Sequence, residues 1–209
     1  MQRFVLTENI RRFRQRLAAA GDDAAREQIG EMLLAAERDL AMLDAATSGA
    51  RQGWRAGTPE DLDAIRAEKL AWFRQTFADD PRLAALIDPA PGLTMVEINR
   101  FYETSSGYPR DEVVGKPLFD LFPDNPDDPG ATGVHNLYAS LRQVAETGRS
   151  HAMALQRYDT HDAEGVWTAR YWRPVNTPLH DDQGRLIYLL HVVEEAEAPE
   201  GASESSTPP

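Results

Sequence analysis

Apolar residues recur along the chain with two different periods, and the change of period marks its organisation. Leu6, Ile10, Phe13 and Leu17 follow one another at intervals of four, three and four. Ile29, Leu33, Ala36, Leu40 and Leu43 repeat at four, three, four and three. Such intervals put each set on one stripe of a helix. Between them, Gly21-Asp22-Asp23 supplies a helix stop and then a carboxylate able to cap the next amino terminus. Residues 1–46 are therefore predicted to form a helical hairpin of coiled-coil character. Each stripe is narrow, and an isolated pair this short buries too little to be stable by itself. The stripes call for further partners, either the rest of the chain or a second copy, and a homodimer is the expectation.

Residues 47–57 carry three glycines, two arginines and Trp54, and read as a linker with one aromatic anchor. Thr58-Pro59-Glu60-Asp61 then starts a lead-in helix over 58–81, with a threonine cap, a proline at the first position and acids in the first turn. Leu62, Ile65, Trp72, Phe73 and Phe77 mark its buried side. Over 82–195 the pattern changes. A first strand at 82–88 leads into the turn Pro89-Ala90-Pro91-Gly92, and an alternating strand runs from Leu93 to Ile98 and ends at Asn99. Short helical pieces follow, then a longer helix carrying Leu137, Leu141 and Val144, then three strand-like segments. This order predicts an α+β domain built on one antiparallel sheet. Residues 196–209 are rich in Glu, Ala, Pro and Ser, too poor in apolar surface to order themselves, and read as a disordered acidic tail.

Charge and composition narrow the function. A net charge of −12 and a pI near 4.8 argue against nucleic acid, which needs a basic face. Arg11, Arg12, Arg14 and Arg16 alternate with apolar residues on one helix and read as a solvated face. With no cysteine in the chain there is no disulfide, no thiolate metal site and no cysteine nucleophile. No apolar run approaches the ~18 residues of a membrane span, so no membrane role and a cytoplasmic location are expected. Asp124, Asp127 and Asp128 cluster, but the prolines among them and the missing central glycine depart from the spacing of a calcium loop. No Gly-rich phosphate loop, nucleophile–base pair or metal-ligand spacing is present. No catalytic or metal residue is assigned, and an enzyme is not expected.

The segment Val96-Glu97-Ile98-Asn99-Arg100-Phe101-Tyr102 resembles the PAS pattern of a second strand ending in Asn, with an aromatic three residues on. Val113-Val114-Gly115-Lys116-Pro117-Leu118-Phe119-Asp120-Leu121-Phe122-Pro123 resembles the glycine bend and short helix of the same family. Asp162-Ala163-Glu164-Gly165 and Asp181-Asp182-Gln183-Gly184 are similar to its two hairpin turns. Asp124-Asn125-Pro126-Asp127-Asp128-Pro129 resembles a subgroup from bacterial sensor histidine kinases. The resemblance covers about residues 68–195. It implies a PAS fold, with a five-stranded antiparallel sheet and small helices on one face enclosing a pocket. It implies a sensory or regulatory role in bacterial signal transduction. Output is then expected in trans, through dimerisation and contacts with a signalling partner such as a histidine kinase or response regulator.

Strand alternation supplies candidate pocket residues. Arg170, Trp172, Pro174 and Asn176 share one face of the segment 166–177, and Ile187, Leu189, His191 and Val193 share one face of 185–194. Similarity with flavin-binding PAS domains turns these faces inward. The expected pocket set is Asn99, Tyr102, Phe119, Trp172, Asn176, Leu189 and His191. An ordinary sheet core without ligand accounts for the same residues, and both readings stay open. The set His135, Tyr138, His151 and Arg157 is similar to haem-binding PAS domains of oxygen-sensing kinases, although the helix-to-strand spacing is two residues longer here. That resemblance implies His135 as axial ligand, with Arg157 facing bound gas, since neutral imidazole is a competent ligand. A haem-based gas sensor is thus the alternative function. Otherwise the cofactor is unknown, with none the leading expectation.

Overall fold

The computed structural model describes residues 1–50, 59–161 and 166–199. The helical periods of the first block produce α1 (Gln2–Ala19) and α2 (Asp23–Ser48). The Asp22 carboxylate caps α2, accepting the amide of Ala25 at 2.8 Å. The hairpin is closed by its narrow stripes and by two ion pairs between the helices, Arg3–Asp44 at 2.7 Å and Arg14–Glu37 at 2.6 Å. Phe13, Leu17, Leu33 and Leu40 are half-buried, while Ile10, Ile29 and Ala36 are buried.

The hairpin does not stand apart from the domain that follows. Helix α2 ends at Gly49, whose φ of +66° turns the chain, and a Cβ there would lie 2.3 Å from the carbonyl oxygen of Pro89. Only glycine allows that approach. The amide of Ala50 donates to the Pro89 carbonyl at 3.0 Å, and the amide of Gly92 donates to Ala45 at 2.8 Å. Trp54 and Thr58, singled out as anchor and helix cap, lie outside the described residues.

The sheet is antiparallel and runs in the order β2-β1-β8-β7-β3, with β4 also paired to β7. Its strands are β1 (Leu83–Ile87), β2 (Met95–Ile98), β3 (His151–Ala152), β4 (Gln156–Arg157), β7 (Tyr171–His180) and β8 (Leu186–Ala196). The segment expected to run unbroken over 166–177 is split. β6 (Trp167–Thr168) pairs with β5 (Thr160–His161) in a small separate hairpin, and only from Tyr171 does the chain join β8. Propensity does not reveal that change of partner. The turn Asp162–Gly165 lies outside the described residues. At the other turn, Gly184 has a φ of +74°.

Both faces of the sheet are covered at the β1–β8 end. On the inner face lie α4 (Arg100–Ser106), α5 (Arg110–Val113), α6 (Leu118–Leu121) and α7 (Gly133–Thr147), packed over Ala85, Ile87, Leu189 and Val193. On the outer face, α3 (Pro59–Phe77) sets Leu62, Phe73 and Phe77 against Ala84, Leu86, Tyr188 and Leu190. β1 is consequently buried at every residue. Trp72, expected on the buried side of α3, is exposed, and its ring meets Phe77 edge-on at 5.8 Å. A β-bulge also corrects the β8 alternation. Leu179 pairs with Tyr188 but His180 with Leu186, so Ile187 is the extra residue and joins the outer cluster beside Tyr188. Strict period-2 reading had placed Ile187 inward.

The clamp between the two faces is Glu97, on β2. Its side chain is 2% exposed and accepts from Arg74 of α3 at 2.6 Å and from Nη2 of Arg110 at 2.7 Å, with Nε of Arg110 on its other oxygen. Burial pushes this carboxyl up, but the two guanidiniums outweigh it and hold it below the usual range.

Candidate functional site

A cavity of about 100 Å³ lies between the inner sheet face and the helices. The helix side is made by Tyr102 of α4, Leu118 and Phe119 of α6, and Val134 and Leu137 of α7; the sheet side is made by Leu83, Trp172, Pro174, His191 and Val193. Met153, Gln156 and Tyr158 close the edge near β3 and β4. Tyr158 can lie against the start of α7 because residue 133 is glycine: a Cβ there would come within 2.1 Å of the tyrosine ring. Its hydroxyl donates to the Pro123 carbonyl at 2.9 Å, and burial drives its pKa well up.

Four expected residues therefore border the space: Tyr102, Phe119, Trp172 and His191. The indole of Trp172 forms wall only, since its Nε1 donates to the Tyr158 carbonyl at 3.0 Å. Leu189 is fully buried on the same side but packs into the core instead of bordering the space. Asn176 stands behind His191 as part of a buried polar chain. Its Oδ1 meets Nδ1 of His191 at 2.7 Å, its Nδ2 donates to Oγ of Ser140 at 2.7 Å, and Ser140 meets Nδ1 of His151 at 2.8 Å. Burial lowers the His191 pKa to about 4, so its ring is neutral near pH 7. Ser140 and Met153 were not anticipated. Ser140 carried a readable signal, because it falls on the same helical stripe as Leu137, Leu141 and Val144, where a polar residue needs a buried partner.

Asn99 is not a pocket residue. Its Oδ1 accepts the amides of Tyr102 at 2.9 Å and Ala84 at 3.1 Å, and its Nδ2 points at the carbonyls of Phe77, Asp80 and Arg82 at 3.2, 3.1 and 2.9 Å. All of its hydrogen-bonding capacity is consumed in joining β1, α4 and the end of α3.

His135 and Arg157 border separate spaces. His135 opens on a groove between α1, α2 and α7, beside Ile10, Leu40 and Ala139. Arg157 lies in a polar recess, paired with Asp159 at 3.0 Å and Asp128 at 3.5 Å. The groove at His135 measures about 590 Å³ but holds no Arg157, so a macrocycle ligated there would not be faced by that arginine, and the cavity under the helices, which neither residue borders, is well below the ~300–1,000 Å³ of ordinary ligand pockets. The residues present do not fit haem in the manner the resemblance implied. In the recess, Asp124 accepts from the Val134 amide at 2.9 Å, its Oδ2 is buried without a partner, and burial raises its pKa. Among the described residues no three carboxylates or histidines converge as a metal site, and no helix is long and apolar enough to cross a membrane.

The family model described as "PAS fold" matches residues 77–199. Among curated proteins none matches the chain. Solved structures similar in outline include the PAS domain of Bordetella pertussis BvgS, at 17% identity and a TM-score of 0.48, covering 63% of this chain and 88% of that one. Another is a PAS domain from Colwellia psychrerythraea, at 13% identity and a TM-score of 0.46, covering 61% and 97%. The Rhodobacter sphaeroides LOV protein aligns at 18% identity and a TM-score of 0.46, covering 68% and 71%. With a family match over more than half its length, on a sheet and inner helical layer of the expected order, the chain belongs to the PAS fold family.

Proposed function

We propose that this chain is a non-enzymatic sensory protein of bacterial signal transduction, responding to a small ligand in the cavity and signalling in trans. The observation that carries this reading is the position of α7. One face of α7 gives Val134 and Leu137 to the cavity, while the helix also packs on α2. The hydroxyl of Tyr138 donates to the Gly49 carbonyl at 3.1 Å, at the point where hairpin and domain meet. A ligand that shifts α7 therefore acts on the hairpin directly. The hairpin leaves Phe4 and Val5 exposed at 72% and 49%, surface available to a second copy or to a signalling protein such as a histidine kinase or response regulator. Xenon, which enters apolar cavities without needing polar contacts, tests the sensing half. Under xenon pressure, methyl resonances of Leu118, Val134 and Val193 are expected to shift, accompanied by amides near Gly49. Unmoved cavity methyls would refute the proposal.

A further inference from the structure

His191 borders the cavity with only one nitrogen committed. Nδ1 lies on Oδ1 of Asn176. Nε2 has no partner among the described residues, and the ring that carries it lines the cavity. Whether Nε2 presents a proton or a lone pair depends on the chain behind it. The four residues can be connected in two directions. In one, His191 donates to Asn176, Asn176 to Ser140, and Ser140 to His151. In the other, every donor becomes an acceptor and the asparagine amide is turned over. The sulfur of Met153 decides between them. It lies 3.5 Å from Nδ2 of Asn176, and a thioether accepts but never donates. With nitrogen on that side, Oδ1 must face His191, so Nδ1 carries the proton and Nε2 is a bare acceptor.

We propose that Asn176, oriented by the sulfur of Met153, fixes the hydrogen-bonding polarity of the cavity at His191, so that its ligand is a compact, mostly apolar molecule donating one hydrogen bond to Nε2 of His191. This rests on the cavity being the ligand site. Size limits the molecule, since an engineered cavity of about 150 Å³ admits benzene and this one is about 100 Å³. An acceptor-only molecule of the same bulk would set a lone pair against a lone pair and leave Nε2 unsatisfied. Asn176 is then a specificity-determining residue that does not itself border the cavity.

Isopropanol and acetone are matched in size, and only the alcohol donates. The full chain is titrated with each while cavity methyls are followed by NMR, and the His191 tautomer is read separately from its nitrogen shifts without any ligand. The expected result is Nδ1–H in the free protein and isopropanol bound about tenfold more tightly than acetone. Met153→Leu, checked for folding by its amide spectrum, removes the sulfur that sets the direction and should bring the two within about twofold, whereas Ser140→Ala, which leaves that sulfur against Asn176, should keep the preference. A wild-type Nε2–H tautomer, equal binding of the two probes, or a preference unchanged in Met153→Leu would overturn the proposal while leaving the cavity reading intact. Binding of neither probe would instead overturn the cavity reading, and the ligand class with it.

Discussion

Single side chains in this protein divide between holding the cavity and bordering it, and Asn99 and His191 mark the two roles. Asn99 satisfies backbone groups of β1, α4 and α3 at once. Replacing it by Ala leaves several buried amides and carbonyls unpaired, and a loss of about 3 kcal/mol is expected in urea denaturation. His191 answers to pH. Its folded pKa of about 4 lies below the ordinary 6.5, so as pH falls the unfolded chain takes up the proton first. The neutral ring therefore contributes stability that is complete above pH ~6.5 and fades as pH approaches ~4, roughly 3 kcal/mol in all. Wild type should lose that much more stability than His191→Phe between pH 7 and 4, with carboxylate effects common to both. Parallel curves would show that His191 is not held neutral by burial. The alternation of β7 made Trp172 and Asn176 legible, because the strand is regular there. Asn99 was misread because an asparagine closing a strand looks the same whether it caps a helix or meets a ligand, and only the helix following it distinguishes the two.

At the scale of elements, the two layers on the sheet are coupled through Glu97. Arg110 of α5 binds this carboxylate through two nitrogens and Arg74 of α3 through one. Removing either cation leaves a buried carboxylate short of partners. Arg110→Ala should therefore cost more than Arg74→Ala, about 2 kcal/mol against about 1. Equal losses in thermal or chemical unfolding would show that the bidentate geometry carries no extra weight. Helix periods made α1, α2 and α7 readable, and their stripes lie on the packed side, buried at Ile10, Ile29, Ala36, Leu141 and Val144 and half-buried at the other positions. The bulge at Ile187 and the break before Tyr171 were not readable, because each depends on which strand lies alongside. A charged residue within an apolar strand was the one visible sign of the Glu97 clamp. Its partners come from helices 23 residues before and 13 residues after it, beyond any local period.

For the molecule as a whole, the hairpin, α7 and the cavity form one connected path. Tyr138→Phe keeps the ring but removes its bond to Gly49 at the junction, and about 1 kcal/mol should be lost. That loss should be small beside the effect of unseating the hairpin. The exposed residues of α1 extend the account to assembly: full-length protein is expected to sediment as a dimer, and protein lacking residues 1–46 as a monomer. A full-length monomer at high concentration would remove the proposed route of output.

The connection between cavity and hairpin is tested most directly by hydrogen–deuterium exchange on Val134→Leu, which adds one methylene to the cavity wall of α7 without touching the hairpin. The account predicts altered protection in α1 and α2 as well as α7, with the edge hairpin β5–β6 unchanged. A change confined to α7 and its immediate cavity neighbours would contradict it.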